Sequence, residues 1–519
     1  MSSISSLTKA VSGLHSAQKG LQVTGHNISN VNTKGYIRQQ LLQHDTGYQT
    51  IGSNGGYKMQ VGLGVSDTEI RQIRDQLADR RLRTENSVLT YYQKLNTTIS
   101  DLEAIFDEPY GETVSDLVNE FWSQAQKLST AADGVEERMS FISTASVLAN
   151  RLNQITESLE NLQNQMDKEV QKSVTRINEI LDGIAEYNEK ISMTEFNNEN
   201  ANDYRDQRNL LLDELSQYGD IRYFEEADKR VHVVFEGHTV VDKNIVIHMG
   251  LEKTQENSPY VKPVWENTGS DVFDLTKVSS ATQANDSGGL KALLIGRGNQ
   301  AVVALEDNNW DQVALDTEQS VDVLGNAYII PKVHMMLREF MGKLTDMTNE
   351  SFSGTGIGFH KGQDGVEVFI FENGKINVNE ELLGHGGHNK LGTVSKLGDP
   401  DNVGDNSLIK DFLNKWGTPQ NDWYAGSTDA SKPLSKNVTM SDYFSELNTD
   451  IGSQGYIYEG KATEKSIAFN NIENERQAMG GVSQDEEFSA MLKYQYAYNA
   501  SSRMITMLDG MLDTIINKM

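Results

Sequence analysis

The chain has 519 residues, 46 Lys and Arg against 74 Asp and Glu, a formal net charge of −28, and no cysteine. Without cysteine there is no disulfide scaffold, thiolate metal site or cysteine nucleophile, and so acidic a chain lacks the basic face that phosphate backbones require. No window approaches the ~18 apolar residues of a membrane-spanning helix, so neither a nucleic-acid partner nor a membrane span is expected.

Hydrophobic residues make up 37% of the chain. That is low for a globular protein and favours thin elements with much exposed surface. The opening MSSISSLTKAVSGLHSAQ has no charged start, apolar block or small-residue cleavage site, so no cleaved secretory signal is expected. Absent cysteine suits a protein that works outside the cell. Charge is unevenly placed: residues 1–44 carry Lys9, Lys19, Lys34 and Arg38 and no acid.

Residues 3–31 read as an amphipathic helix, because Ile4, Leu7, Val11, Leu14, Leu21 and Ile28 recur at helical spacings. The Gly-, Asn- and Ser-rich run 25–36 should end it in a turn. Residues 37–65 hold short alternations such as Met59, Val61 and Leu63 and read as extended. From about 66 to 218 the pattern is helical. One run starts at Ile70, Ile73 and Leu77, continues through Leu95, Ile99, Leu102 and Phe106, and stops at Glu108-Pro109-Tyr110-Gly111. A shorter helix spans Val114 to Leu128. The longest run, Leu148 to Ile191, contains no proline and predicts a coiled-coil-like rod. A last helix starts at Asp203 and ends near Gly219.

At Gly219 the texture changes. Ile221–Phe224 and Val231–Val241 read as hairpin strands. Residues 219–310 and 352–440 read as strand and loop, separated by a helical insert at about 315–350, and helix resumes from about 461. The expected fold class is therefore α+β and multidomain. Long N- and C-terminal helices (1–44 with 481–519) form a coiled-coil-like inner unit. A helical bundle or rod takes 45–218 with 441–480, and an inserted β-rich outer domain takes 219–440.

The last segment is the most informative. Phe488, Met491, Tyr498, Ile505, Leu512, Ile516 and Met519 lie on one seam, and Ala490, Ala497, Met504, Leu508, Met511 and Ile515 on the next. Two overlapping seams make a stripe wider than a dimeric coil needs. Such a helix, about 54 Å long, needs several neighbours: the N-terminal helix of the same chain and other copies. The candidate assembly contacts are Leu7, Val11, Leu14, Leu21, Ile28, Met491, Tyr498, Ile505, Leu508, Leu512 and Ile515.

Chemical motifs are weaker. Gly455 to Lys461 matches the spacing of a phosphate-binding loop, but Ala462 replaces the Mg²⁺-binding hydroxyl; a glycine turn opening a helix at Thr463 is expected instead. His385 and His388 flank two glycines with no third ligand implied. Asp399 to Asp405 resembles half a calcium loop, with Lys410 where a bidentate Glu is needed. Both read as solvated loops. An echo between 51–55 and 451–455 could mark two extended pieces meeting beside the terminal helices. No catalytic residue, metal or cofactor is expected.

The two ends carry a resemblance. His26-Asn27-Ile28-Ser29-Asn30-Val31-Asn32-Thr33-Lys34-Gly35-Tyr36-Ile37-Arg38-Gln39 resembles the N-terminal signature of the flagellar rod and hook axial family, A-N-N-[IL]-A-N-x-N-T-x-G-Y-x-R-Q. Asn27, Asn30, Asn32, Thr33, Gly35, Tyr36 and Arg38 match, while His26 replaces Asn or Ala and Lys34 a common Pro. Val482 to Phe488 and Tyr494 to Arg503 resemble its C-terminal V-[NS]-x-D-E-E and Y-Q-x-A-Y-x-A-[SA]-[SA]-R, with Asp485, Glu486, Tyr494, Gln495 and Arg503 in place. Chain length, the Tyr36-Ile37-Arg38-Gln39 ending and Arg205-Asp206-Gln207-Arg208 to Leu215 make the chain similar to the hook-associated protein 1 (FlgK) branch.

That resemblance implies a non-enzymatic structural subunit, secreted by the flagellar type III export apparatus and assembled as a ring-like layer of copies between hook and filament. Its implied partners are the hook protein, the second hook-associated junction protein and a cytoplasmic export chaperone on the C-terminal segment. The same layout also admits a secreted adhesin or glycan-binding protein on a helical stalk.

Overall fold

A computed structural model describes residues 2–518 apart from 55–56, 107–112, 197–198, 277–285, 308, 316–325, 355, 359–363, 396–403, 420–422 and 424–437. The chain opens with α1 (Ser2–Ser29) and a run of strands, β1 (Gln39–Asp45), β2 (Tyr48–Asn54), β3 (Tyr57–Gly62) and β4 (Val65–Gln72). β1 pairs antiparallel with β4, from Gln39↔Gln72 to Asp45↔Val65, and β2 with β3 forms a hairpin beyond them. The helical body follows in α2 (Gln76–Phe106), α3 (Val114–Thr130), α4 (Val135–Phe196) and α5 (Asn202–Leu215).

Next come β5 (Ile221–Glu225), β6 (Val231–Phe235), β7 (His238–Asp242) and β8 (Ile245–Val246), a four-stranded antiparallel meander, and the hairpin β9 (Met249–Lys253) with β10 (Val261–Trp265). Helices α6 (Gly289–Arg297) and α7 (Ile329–Asn349) precede β11 (Gly356–Ile357), β12 (Phe369–Glu372), β13 (Lys375–Val378), α8 (Glu380–Leu383), β14 (Val394–Ser395) and α9 (Ser407–Gly417). The chain closes with α10 (Met440–Gly480) and α11 (Gln484–Lys518).

α4 is the spine. At 62 residues it runs about 93 Å. Leu148, Leu152, Leu159, Val170, Ile177, Leu181, Ile184 and Ile191 along it are completely buried. They are covered by α3, α5, α6 and strands β9, β10 and β13, more neighbours than a two-helix rod offers. At one end Phe121, Phe141, Phe352, Phe412 and Trp416 pack ring against ring, with centroids 5.0–6.1 Å apart.

Strands dock on helices by a repeated device. Asn188 of α4 donates to Val231 O at 2.8 Å and accepts from Val231 N at 3.0 Å, where β6 begins. Asn178 does the same to Met249 at the start of β9, at 2.9 Å both ways. Asn153 holds Ile376 of β13, and Asn349 of α7 holds Phe369, the first residue of β12. A carboxamide offers a donor and an acceptor side by side. It therefore meets the N–H and C=O of an extended residue as a neighbouring strand would.

Several expectations are corrected. Ile70 lies in strand β4, and Leu77, at the start of α2, is 65% exposed, so neither begins a buried helical seam. The stretch read as strand and loop also contains α6 and α9, and the sheets within 219–440 are small; α6 is buried on every side, so its sequence shows no helical period. Helix resumes at Met440, where the Thr439 hydroxyl accepts from Asp442 N at 3.2 Å. Residues 451–461 are continuous helix, which removes both the glycine turn and the extended echo. Packing against α2 overrides glycine's poor propensity there, since a Cβ on Gly455 would lie 3.1 Å from Ile99 Cγ2 and Glu103 Oε1. Glu108 to Gly111 and Asp399 to Val403 lie outside the described residues.

Asn188→Leu keeps the volume but leaves the Val231 N–H and C=O, the Lys243 C=O and Arg208 Nη1 without their shared partner. Local stability around β6 should fall by roughly 3 kcal/mol, seen as faster amide exchange over 231–243 with little change in α11.

Candidate functional site

The N-terminal motif folds back on the helix that carries it. α1 ends at Ser29, and Asn30 closes the turn, its amide donating to His26 O at 3.0 Å and its Oδ1 accepting from the Thr33 hydroxyl at 3.2 Å. Gly35 sits at φ +80°, and a Cβ there would come within 2.4 Å of Leu210. Both the left-handed backbone and the close approach to α5 require glycine.

The chain then passes Asn27, which is 1% exposed and uses all its hydrogen-bonding capacity. Its Nδ2 donates to Gln39 O at 2.9 Å and Glu487 Oε2 at 3.0 Å, and its Oδ1 accepts from Gln39 N at 3.0 Å and the Tyr36 hydroxyl at 2.8 Å. Tyr36 spends its proton on Asn27, so His26 Nδ1, 2.9 Å away, is the donor to the phenol oxygen. Burial, reinforced by Asp206, Asp203 and Glu487, pushes the Tyr36 phenol well above its ordinary range.

Arg38 completes the tie to the other end of the chain. Its Nε donates to Glu487 Oε1 at 2.7 Å and its Nη1 to Glu486 Oε2 at 2.9 Å. Ser483 starts α11, its hydroxyl accepting from Glu486 N at 3.5 Å, and Asp485, Glu486 and Glu487 fill a first turn where negative charge is favoured. Asn27, Tyr36, Arg38 and Glu486 thus meet in one clamp. Asn32 and Asp485 are exposed beside it. Tyr494 lies further along α11 with its ring against Gly20, and Gln495 and Arg503 are exposed.

A second layer joins this clamp to the body. Asp206 of α5 accepts from Ile37 N at 3.4 Å and from the Gln72 amide at 2.7 Å. Asn200 and Asn202 donate to Ile70 O, and Arg38 N donates to Gly480 O at 2.9 Å. Beside it a cleft of about 1200 Å³ opens between the 31–38 turn, α2, α5 and α10, lined among others by Lys34, Arg83, Asp213 and Arg476. Burial pushes the Asp213 carboxyl up, but Arg83 at 2.7 Å and Arg476 at 2.8 Å outweigh it and hold it below the carboxylate range. Glu487 lies in the C-terminal motif stretch and Asp206 in the 205–215 stretch, and neither is among the expected site residues. Their signal was adjacency to charged partners in sequence, which does not say which acid turns inward.

The expected seam on α1 is not the buried one. Ala10, Ala17, Gly20, Val23, Thr24 and Asn27 are buried, while Leu7, Val11, Leu14, Leu21 and Ile28 stay half-buried. Helix α11 lies along α1. A Cβ on Gly20 would stand 2.4 Å from the Tyr494 ring and one on Gly13 3.2 Å from Ser501 Oγ, so small residues let the two backbones approach. On α11, Met491, Ile505, Leu508 and Leu512 are half-buried and Tyr498 is just exposed. They fall on the same seven-residue repeat as Tyr494 and Ser501, which face α1. The side chain of Ile515 lies outside the described residues. Phe488, Leu492, Tyr496, Met504, Met507 and Met511 remain exposed on the other face.

Among the described residues no group of three or more His, Asp or Glu is placed to hold a metal, and no helix is long and apolar enough to cross a membrane. His388 gives its carbonyl to the buried Arg138.

Comparison with known proteins adds the following. A family model described as Flagellar hook-associated protein FlgK helical domain matches residues 99–325, and one described as Flagellar basal body rod FlgEFG protein C-terminal matches residues 478–518. Flagellar hook-associated protein 1 of Bacillus subtilis is 25% identical, the alignment covering 99% of this chain and 98% of that protein. The proteins of the same name from Salmonella typhimurium and Escherichia coli are 22% and 20% identical, each over 98% of this chain and 99% of the relative. A solved structure of the flagellar hook junction protein FlgK from Burkholderia pseudomallei matches with a TM-score of 0.43 at 16% identity, over 56% of this chain and 47% of that one.

Asn27→Leu removes four hydrogen bonds from a buried site, a loss of roughly 3 kcal/mol. In limited proteolysis of the monomer, both ends should be cut before residues 66–480, and this variant should lose them many-fold faster. Equal protection of Leu7–Leu21 and of the body in a verified monomer, or equal cutting rates in the two proteins, would contradict this expectation.

Proposed function

We propose that this chain, similar to flagellar hook-associated protein 1 over nearly its whole length, is a structural subunit of the hook–filament junction that assembles through its terminal helices. The observation that carries the assembly mode is the apolar face of α11. Phe488, Leu492, Tyr496, Met504, Met507 and Met511 stand exposed on a helix already paired with α1 on its other side. An apolar stripe of this length is left bare by a single chain and fits burial against further copies. Leu7, Val11, Leu14, Leu21 and Ile28 on α1, half-covered in one chain, join the same contact.

Copies so joined form a ring-like layer, with the hook protein on one side and the second hook-associated junction protein on the other. Before assembly the subunit is exported by the type III route, and a cytoplasmic chaperone covers its C-terminal segment. In this arrangement the terminal pair 1–44 with 481–519 is innermost, the helical body surrounds it and residues 219–440 lie outermost. Catalysis has no part in it, since the family is one of structural flagellar proteins. An adhesin on a stalk is not favoured, because the relatives match over nearly the whole chain, ends included.

Met507→Asp with Met511→Asp places two charges on the exposed stripe without touching the α1-facing seam. Thermal stability of the monomer should change by less than about 0.5 kcal/mol, while binding to purified hook ends is lost. Deletion of the gene should leave hooks without filaments and filament protein in the medium. Normal filaments would refute the junction role.

A further inference from the structure

We propose that the outward face of α10 is the seat for the bare stripe of α11 from a second copy, so that one chain's last helix lies along the next chain's body. This rests on the reading that further copies cover α11, and it names the surface they use.

The two sides of α10 differ in make. The side that packs against α2 is buried at Ile451, Gly455 and Tyr458. On the other side Gly452, Tyr456, Gly460, Thr463, Ile467 and Asn471 recur at spacings of three and four, all exposed and none charged. Tyr456 is 80% exposed and Ile467 58%. The charges between Thr449 and Asn474 are mostly spent within the chain. Lys461 stands over the Tyr92 ring at 5.0 Å and Lys465 pairs with Glu85 at 3.2 Å, while Asp450 pairs with Lys332 and Glu473 with Arg476. Glu459 and Glu464 are left exposed beside the stripe, and both are negative.

Gly460 has no reason within the single chain. Gly455 sits close beneath Ile99, but a Cβ on Gly460 would meet nothing within 4 Å, and one on Gly452 only the tip of Glu103 at 4.0 Å. Glycine weakens a helix interior, and no contact in one chain offsets that here. The two glycines lie one turn either side of Tyr456 and leave hollows on an exposed surface. Such hollows let the bulky side chains of a second helix approach the backbone.

The bare stripe of α11 is the matching surface. Phe488, Leu492, Tyr496, Met507 and Met511 are large where α10 is small, and all are exposed. From Phe488 to Leu508 the only charges are Lys493 and Arg503. They fall three residues before Tyr496 and four before Met507, hence on the same face, and are opposite in sign to Glu459 and Glu464. The stripe runs about 35 Å from Phe488 to Met511, and the α10 face about 38 Å from Thr449 to Asn474. Within one chain α11 lies along α1 and not along α10, so the seat is open to another copy. A second α10 there would set glutamate against glutamate, and pairing α11 with α11 would set cation against cation. Contact between two different faces repeats from copy to copy, as a ring requires.

The chain has no native cysteine, so a benzophenone on Thr463→Cys marks the α10 face of the full-length protein. Assembled on purified hooks together with an isotope-labelled copy that carries no benzophenone, it should cross-link to residues 488–511 of the labelled copy, as read by mass spectrometry. Adding Gly460→Arg should cut this product about ten-fold without lowering the monomer's melting temperature, because that side of the helix is open. Products confined to α10 of the labelled copy or to hook protein, no product at all, or equal product with Gly460→Arg would overturn the seat while leaving assembly through α11 standing. Failure of the wild-type chain to bind hooks, or binding by the Met507→Asp, Met511→Asp variant equal to wild type, would overturn the assembly reading and the seat with it.

Discussion

A side-chain carboxamide facing the N–H and C=O of one extended residue is the interaction on which the rest of this structure depends. Asn27, Asn153, Asn178, Asn188 and Asn349 each make this double bond, four of them to the first residue of a strand. The sheets here are small, mostly two-stranded, and isolated two-stranded ribbons are marginal in water. A helix that supplies the missing strand neighbour satisfies the end of the ribbon and fixes its place. Three of these residues lie along α4, so the spine sets where β6, β9 and β13 attach. Each bond contributes only about 1 kcal/mol net, but a buried N–H or C=O left unpaired loses more.

The same device at Asn27 closes the chain on itself. It holds the start of β1 against the end of α1 while reaching Glu487, and Arg38 ties the adjacent acid. The terminal helices are thus paired within the single chain, through small residues on α1 and the Tyr494–Ser501 seam on α11. What remains outside is the larger apolar set. Charge follows the same division. Residues 1–44 carry four basic side chains and no acid, whereas the whole chain is at −28; in the proposed assembly, helices meeting copies of themselves would repel if they shared the body's charge.

Much of this was legible. Strong helical periods located α1, α3, α4 and α11, and the motif stretches 26–39 and 482–503 identified the segments that meet in the clamp. Periodicity on α1 pointed to Leu7, Val11, Leu14, Leu21 and Ile28, yet the chain buries Ala10, Ala17 and Gly20. An apolar period marks a face that will be covered, and it cannot say whether the nearest cover needs bulk or close approach. The helical glycines of α10 and the wholly buried α6 misled for a related reason, because packing overrode propensity in one and erased the period in the other. Asn153, Asn178, Asn188 and Asn349 left no readable trace. A lone Asn in a helix looks like a weak helix former until the strand it serves is in place.

The central proposal is that α11 enters assembly with one face already spent on α1 and the other free. Hydroxyl-radical footprinting of Met504, Met507 and Met511 tests it most directly, comparing the free monomer with the chain assembled on hooks. All three should react readily in the monomer and become protected on assembly, while Ala17 and Val23 on the buried face of α1 stay protected in both. Equal reactivity of the three methionines in the two states would contradict it.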